Sequence, residues 1–283
     1  MSVEQDEVRK ATTGKRLCSA EQSYVQSQYG TDENLSIRIR THEIYSETNV
    51  NFAAWVLDSI PWQGDEVVVD VGCGSGGYIE AARQRARAYF AGDLSLGMLQ
   101  SLDERGVPRL NLDAQALPLR EESADVILAN HMLYHVPDIS RALREFGRVL
   151  RPGGRLLAAT NSDSNMAELA ALGREAANEL NVSGQLEMAP DLTFTLETGA
   201  RFLQTQFTHV ERRDLPGALV FPEPQPVIDY VGTLYERLER FLPDDVQWQD
   251  FAEALRAILQ KKIERDGEFR VNKLAGVFVC RNT

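Results

Sequence analysis

The sequence predicts an α/β fold built on a mostly parallel sheet, and three observations carry that prediction. The apolar run Val67–Val71 breaks into Gly72-Cys73-Gly74-Ser75-Gly76-Gly77, the pattern of a buried strand feeding a tight turn and then a helix. Strand and helix candidates then alternate as far as Thr160, which implies parallel strands joined by right-handed crossovers. The chain has 283 residues, 43% of them hydrophobic, enough for one large domain with an elaborated cap.

Residues 1–28 are polar and weakly patterned, and are expected to be a mobile arm. Residues 29–64 read as an N-terminal helical lid segment. Leu35, Ile39, Val50, Phe52, Ala53, Val56, Leu57 and Ile60 fall at helical spacing up to the stop at Pro61 and Gly64. Val67–Val71 is the first strand and Gly76–Ala88 its helix. Tyr89–Gly92 is a second strand ending at Asp93, and Ser95 caps a helix over Leu96–Leu102. Pro108–Leu112 and Ala124–Ala129 are the third and fourth strands. Asp138 caps a helix whose apolar face is Ile139, Ala142, Leu143, Phe146, Val149 and Leu150. Pro152-Gly153-Gly154 turns the chain into a fifth strand, Arg155–Thr160.

Past Asn161 the rhythm changes. Helices are expected over Met166–Leu180 and Thr195–Leu203, followed by a strand near His209–Asp214. Two amphipathic helices follow at 227–242 and 246–264, and Ala275–Cys280 closes the chain as a strand. The expected division is a core over 65–214, a helical substrate cap over 215–270, and a strand within 271–283 that completes the core sheet.

Composition narrows the function. A net charge of −12 opposes nucleic acid as a partner, because phosphates need a basic face. It equally opposes a polybasic membrane anchor, and no apolar run reaches membrane-spanning length. Cys18, Cys73 and Cys280 are far apart and show no zinc spacing, so no metal is expected. Together with an acidic start that lacks the pattern of a signal peptide, they point to a reduced, cytoplasmic protein.

The glycine loop satisfies two patterns. Gly72 to Gly77 fits G-x-G-x-x-G, with Asp93 about where a ribose-binding acid stands in a dinucleotide fold. It also fits D-x-G-x-G-x-G, beginning at Asp70. The loop alone leaves both open.

The ordered set of segments Val67–Gly77, Gly92–Met98, Leu112–Leu119, Ala124–Pro137 and Leu150–Gly154 resembles the class I S-adenosyl-L-methionine (SAM)-dependent methyltransferases, and most closely their type 11, small-molecule branch. Asp113-Ala114-Gln115-Ala116-Leu117-Pro118-Leu119 and the Arg-Pro-Gly-Gly turn are characteristic parts of that likeness, which covers about Asp65 to Asn161. It implies a Rossmann-like, seven-stranded sheet whose last strand is antiparallel, the C-terminal Val-Phe-Val segment forming that strand. It also implies SAM as cofactor, with Gly72, Gly74 and Gly76 admitting its methionine part. Asp70 would hold the loop or, through water, the cofactor ammonium. Asp93 would accept from both ribose hydroxyls. Leu94 and Met98 would lie by the adenine, Asp113 and the Ala114 amide would bind its edge, and the Asn130 backbone would lie near the methionine group. Leu35–Tyr45 is similar to a stretch preceding the core in relatives of this size, where Arg38 would fork onto the SAM carboxylate.

By the same resemblance, the loop Asn130-His131-Met132-Leu133-Tyr134-His135 lies beside the methyl group, so His131, Tyr134 and His135 are the catalytic candidates. Against this, relatives carry a histidine at the position of His135 whatever their substrate, which suits packing. His42 reads as a structural or lid residue, and Trp55, Trp62 and Trp248 as packing. A pocket closed by apolar helical faces favours a small, partly hydrophobic acceptor. The expected function is methyl transfer to an O, N or C atom of a small molecule, as in secondary metabolism. The alternatives are an RNA base methyltransferase, a NAD(P)-binding oxidoreductase and a non-catalytic partner subunit that keeps the fold.

Overall fold

A computed structural model describes residues 32–182, 192–234 and 246–283. The expected N-terminal arm, and the second half of the helix expected at 227–242, lie outside these residues.

Seven strands form one sheet: β1 Val67–Val71, β2 Ala88–Asp93, β3 Arg109–Asn111, β4 Ala124–Leu128, β5 Leu150–Asn161, β6 His209–Phe221 and β7 Phe269–Arg281. Their order is β3-β2-β1-β4-β5-β7-β6. All pairs are parallel except those β7 makes with β5 and β6, so the expected seven strands and antiparallel last strand are present. The described helices are α1 Asp32–Tyr45, α2 Phe52–Leu57, α3 Ile79–Arg83, α4 Leu96–Gln100, α5 Ile139–Val149, α6 Ala167–Glu179, α7 Gly199–Leu203, α8 Gln225–Gly232 and α9 Trp248–Asp266.

The sheet is buried on both faces, as a parallel sheet requires. Alternation along β1 sends Val69 and Val71 into a core with the apolar stripe of α5 and with α7, and Val68 into a core with α2, α3 and α4. Each fully buried aliphatic or aromatic side chain in these layers contributes about 1.5–3 kcal/mol. The expected caps are in place: Ser95 Oγ accepts from the Met98 N–H and Asp138 Oδ1 from the Arg141 N–H.

A third core belongs to a cap, and here the expected boundaries need correction. β6 runs on from Asp214 to Phe221, and β7 begins at Phe269 rather than Ala275. Pro216 is tolerated in β6 because that strand is a sheet edge, where a missing N–H costs no ladder bond. β5 stops pairing at Asn161↔Ala275, whereas β6 and β7 continue pairing to Phe221↔Phe269. The hairpin therefore leaves the sheet as a two-stranded ribbon, at the carboxyl end of β5. Leu219, Phe221, Phe269 and Val271 from this ribbon pack with α6, α8 and α9. So α6, assigned by sequence to the core, belongs to the cap, and 215–221 and 269–270 are strand rather than helical insertion.

The helical run expected through Leu35–Ile60 is two helices. Between them Ser46 bridges Leu219, the Glu47 N–H donates to Ala218 O, and Asn51 Oδ1 caps α2 by accepting from the Ala54 N–H. The helix expected at Gly76–Ala88 is reduced to α3, because Gly76 to Tyr78 are spent in a turn after the loop.

Candidate active site

Asp70, Gly72, Gly74, Gly76, Asp93, Leu94, Met98, Asp113 and Ala114 lie toward the carboxyl ends of β1, β2 and β3, whereas Asn130 follows β4 and Arg38 lies in α1. Gly72, Gly74 and Gly76 all have positive φ, at +76°, +52° and +78°. At Gly72 and Gly76 a Cβ would also collide with neighbours, Met132 Cβ at 2.7 Å and Ile79 Cδ1 at 2.4 Å. At Gly74 it would meet nothing within 4 Å. Two of the glycines thus let the protein pack on itself, and the middle one faces open space.

Asp93 fastens this loop to the second motif. Its Oδ2 accepts from the Gly74 N–H at 2.9 Å and its Oδ1 from the Ser95 N–H at 2.8 Å. Its carbonyl accepts from the Leu112 N–H, which ties in the strand leading to Asp113. Each carboxylate oxygen keeps a further lone pair for a ligand hydroxyl. Beside it Leu94 and Leu96 are 57% and 61% exposed, apolar surface suited to cover by a flat ring, and Met98 is half-buried. Asp113 Oδ1 accepts from the Gln115 N–H, so its side chain shapes its own turn, with Ala114 buried.

Asp70 is buried and accepts a short hydrogen bond from the Tyr89 hydroxyl. Burial pushes its carboxyl up to about 7, against the Tyr89 hydrogen bond and with help from the Asp93 charge. Tyr78 Oη is also buried without a hydrogen-bond partner, and its hydroxyl is raised by burial and then by Asp70. The two tyrosines were not singled out by sequence. Their signal was only their position, Tyr78 just after the glycine loop and Tyr89 on β2, where it pairs with Val68 two residues before Asp70.

The loop after β4 divides the catalytic candidates. His131 has φ +54°, and its N–H donates to Ala159 O of β5. Its ring lies 5.4 Å from that of Phe52 in α2, and burial lowers its pKa to about 4. Asn130 is buried, with Oδ1 accepting from the Ala159 N–H and Nδ2 lacking a hydrogen-bond partner. Tyr134, by contrast, packs on the α5-side core, and the His135 ring meets it edge-on at 4.5 Å. Arg38 stands on the cap side, its Nε and Nη2 donating to Thr233 Oγ1 and Thr233 O at 2.8 Å each.

The sheet order decides between the two readings of the glycine loop. A dinucleotide fold continues past its switch point with parallel strands, 3-2-1-4-5-6. Here an antiparallel β7 is inserted between β5 and β6. The comparisons agree. The family described as methyltransferase domain matches residues 69–158. The matched stretch is a methyltransferase domain, about a third of this chain.

Among the proteins it is similar to is the malonyl-[acyl-carrier protein] O-methyltransferase of Yersinia pestis, 35% identical over 105 residues, which are 36% of this chain and 39% of that protein. Another is the demethylmenaquinone methyltransferase of Corynebacterium urealyticum, 35% identical over 100 residues, or 35% of this chain and 42% of that protein. The match thus spans about two fifths of either relative. In fold the chain resembles the [4+2]-cyclase SpnF, with TM-score 0.56, 18% identity and coverage of 95% of this chain and 98% of that one. It also resembles the YcgJ protein of a Bacillus, with TM-score 0.52, 16% identity and coverage of 82% and 99%. Among the described residues no helix is long and apolar enough to cross a membrane, and no cluster of metal-ligating side chains occurs.

Proposed function

We propose that this chain is a class I SAM-dependent methyltransferase, which binds SAM at the ends of β1–β3 and transfers its methyl group to an O, N or C atom of a small-molecule acceptor. The observation that carries the cofactor assignment is the Asp93 carboxylate, which joins the glycine loop to the second motif while staying half-exposed beside bare apolar surface. When bound, SAM supplies an electrophilic methyl carbon on a sulfonium. Gly74 leaves room for its methionine part, Asp93 takes the ribose hydroxyls, and Leu94, Met98, Asp113 and Ala114 frame the adenine.

The chain's own work is placement, which accounts for about 7–11 kcal/mol in well-oriented reactions. The acceptor lies over β4 and β5, between His131 and the cap carried by the ribbon. His131 is an uncharged imidazole at neutral pH, able to accept a hydrogen bond from the acceptor and to take a proton from an acidic one. Tyr134 and His135 hold the loop by packing.

Calorimetric titration with S-adenosylhomocysteine, run beside NAD, tests the assignment. Saturable heat with the first and none with the second is the expected result. Heat with NAD alone overturns it.

A further inference from the structure

Phe269, Val271 and Lys273 stand on one face of the ribbon by strand alternation. The first two enter the cap core, and the third places an ammonium where that apolar face ends. Lys273 Nζ donates to Ser46 Oγ at 2.8 Å and lies 3.4 Å from His42 Nδ1, both contributed by the α1 end of the N-terminal segment. Both partners are neutral, and among the described residues no carboxylate pairs with this lysine. Lysine carries only donors, so the His42 Nδ1 contact makes that atom the acceptor and puts the imidazole proton on Nε2. An ammonium half withdrawn from water, with three donors and two uncharged acceptors, is costly unless an anion completes it.

Three further observations locate this cation. It lies past the carboxyl end of β5, two strands from β1 and on the far side of the β1/β4 switch point from Asp93 and Asp113. His131, from the loop after β4, is near enough for its charge to bear on His42. The Tyr230 ring of α8 closes the other side of His42, with centroids 6.0 Å apart, and Arg38 lies within charge range of that tyrosine. Burial lowers both Lys273 and His42, as expected of groups partly withdrawn from water.

We propose that Lys273 and His42 form a carboxylate-binding site of the acceptor pocket, so that the acceptor is a small organic acid. This rests on the methyltransferase reading for the word acceptor, but the site itself is testable apart from it. The ammonium takes one carboxylate oxygen and the His42 Nε2–H is placed to take the other. Small neutral molecules and amines are excluded, the first for want of charge and the second by repulsion.

The chain has four histidines, so imidazole ¹⁵N signals resolve singly in a protein labelled only at histidine. The probes are butyrate and benzoate, with butyramide and benzamide as neutral counterparts, added to the full chain with and without S-adenosylhomocysteine. The expected result is a saturable shift of the His42 signals with the acids and none with the amides. In Lys273→Met the apparent affinity for the acids should fall by about tenfold or more. Binding of S-adenosylhomocysteine by this variant certifies that it is folded. His42 signals that ignore the acids, or respond equally in Lys273→Met, overturn the proposal. So does a variant that loses affinity for S-adenosylhomocysteine but keeps it for methylthioadenosine, since the carboxylate held is then the cofactor's own. If the wild-type chain binds no S-adenosylhomocysteine, the methyltransferase reading fails, and the acid titration without it still decides the carboxylate site.

Discussion

The two halves of the site are built in opposite ways. On the β1–β3 side, successive loops supply every group, and the bonds from Gly74 N–H to Asp93 Oδ2 and from Leu112 N–H to Asp93 O knit them together. On the β4–β7 side, α1, the loop after β4, α8 and the ribbon bring residues from distant parts of the chain. In the proposed function the first half is a fixed cradle for the cofactor. The second is an assembly of parts gathered around one hairpin.

The largest effect that separates the halves should come from the cap core. Phe251→Ala removes a fully buried ring from the ribbon–α9 contact and should cost about 3–5 kcal/mol of local stability. Hydrogen exchange should speed up in 215–221 and 269–275 while β1 and β4 keep their protection. Equal loss throughout would show that cap and core unfold as one unit.

Asp93→Ala should act on the other half. It removes the side chain that ties Gly74 and Ser95 together and that would take the ribose hydroxyls, and should weaken S-adenosylhomocysteine by about 100-fold with little change in the response to carboxylates.

The glycine loop offers a finer cut. Gly72→Ala meets both a positive φ and Met132, and should destabilise the fold by roughly 2–4 kcal/mol in chemical denaturation. Gly74→Ala has φ alone against it and should cost about 1–2 kcal/mol, yet lose cofactor binding because its new methyl enters the open space. Retained cofactor affinity in Gly74→Ala would mean that the ligand does not press on this backbone.

These contrasts explain what was legible in the sequence. Strand β1, the capped helices α4 and α5 and the glycine loop were readable because each is a local pattern: a β-branched run, a cap at fixed spacing, a glycine needing positive φ. The ribbon was not. Pro216 and the charged run Glu211–Asp214 look like a strand end, and only pairing with β7 across more than fifty residues makes them strand. For the same reason Lys273 escaped notice, since its meaning depends on Ser46 and His42 more than two hundred residues away. Tyr134 and His135 entered the catalytic set by proximity in sequence, and the structure places them on the turn Leu133–His135 with their rings edge-on.

The smallest effect is on pH. His42 and His131 fall to about 4 in the fold from an ordinary 6.5, so their contribution is complete above 6.5 and is lost as pH falls toward 4. Asp70 rises to about 7 from 3.8, so its contribution is complete below 3.8 and is lost as pH rises through 7. Between these limits the folded chain holds one proton more at Asp70 and two fewer at the histidines. Stability should therefore fall on acidification by about 1 kcal/mol per pH unit in thermal melts. Asp70→Asn removes the opposing contribution and should steepen the fall.

The division into a cofactor cradle and an acceptor half is tested most directly by mapping hydrogen exchange across the full chain with and without saturating S-adenosylhomocysteine. Protection is predicted at Gly72–Gly76, Asp93–Met98 and Asp113–Gln115, with 215–221 and 269–275 unchanged. Protection confined to the ribbon and α8, or none at the glycine loop, would contradict it.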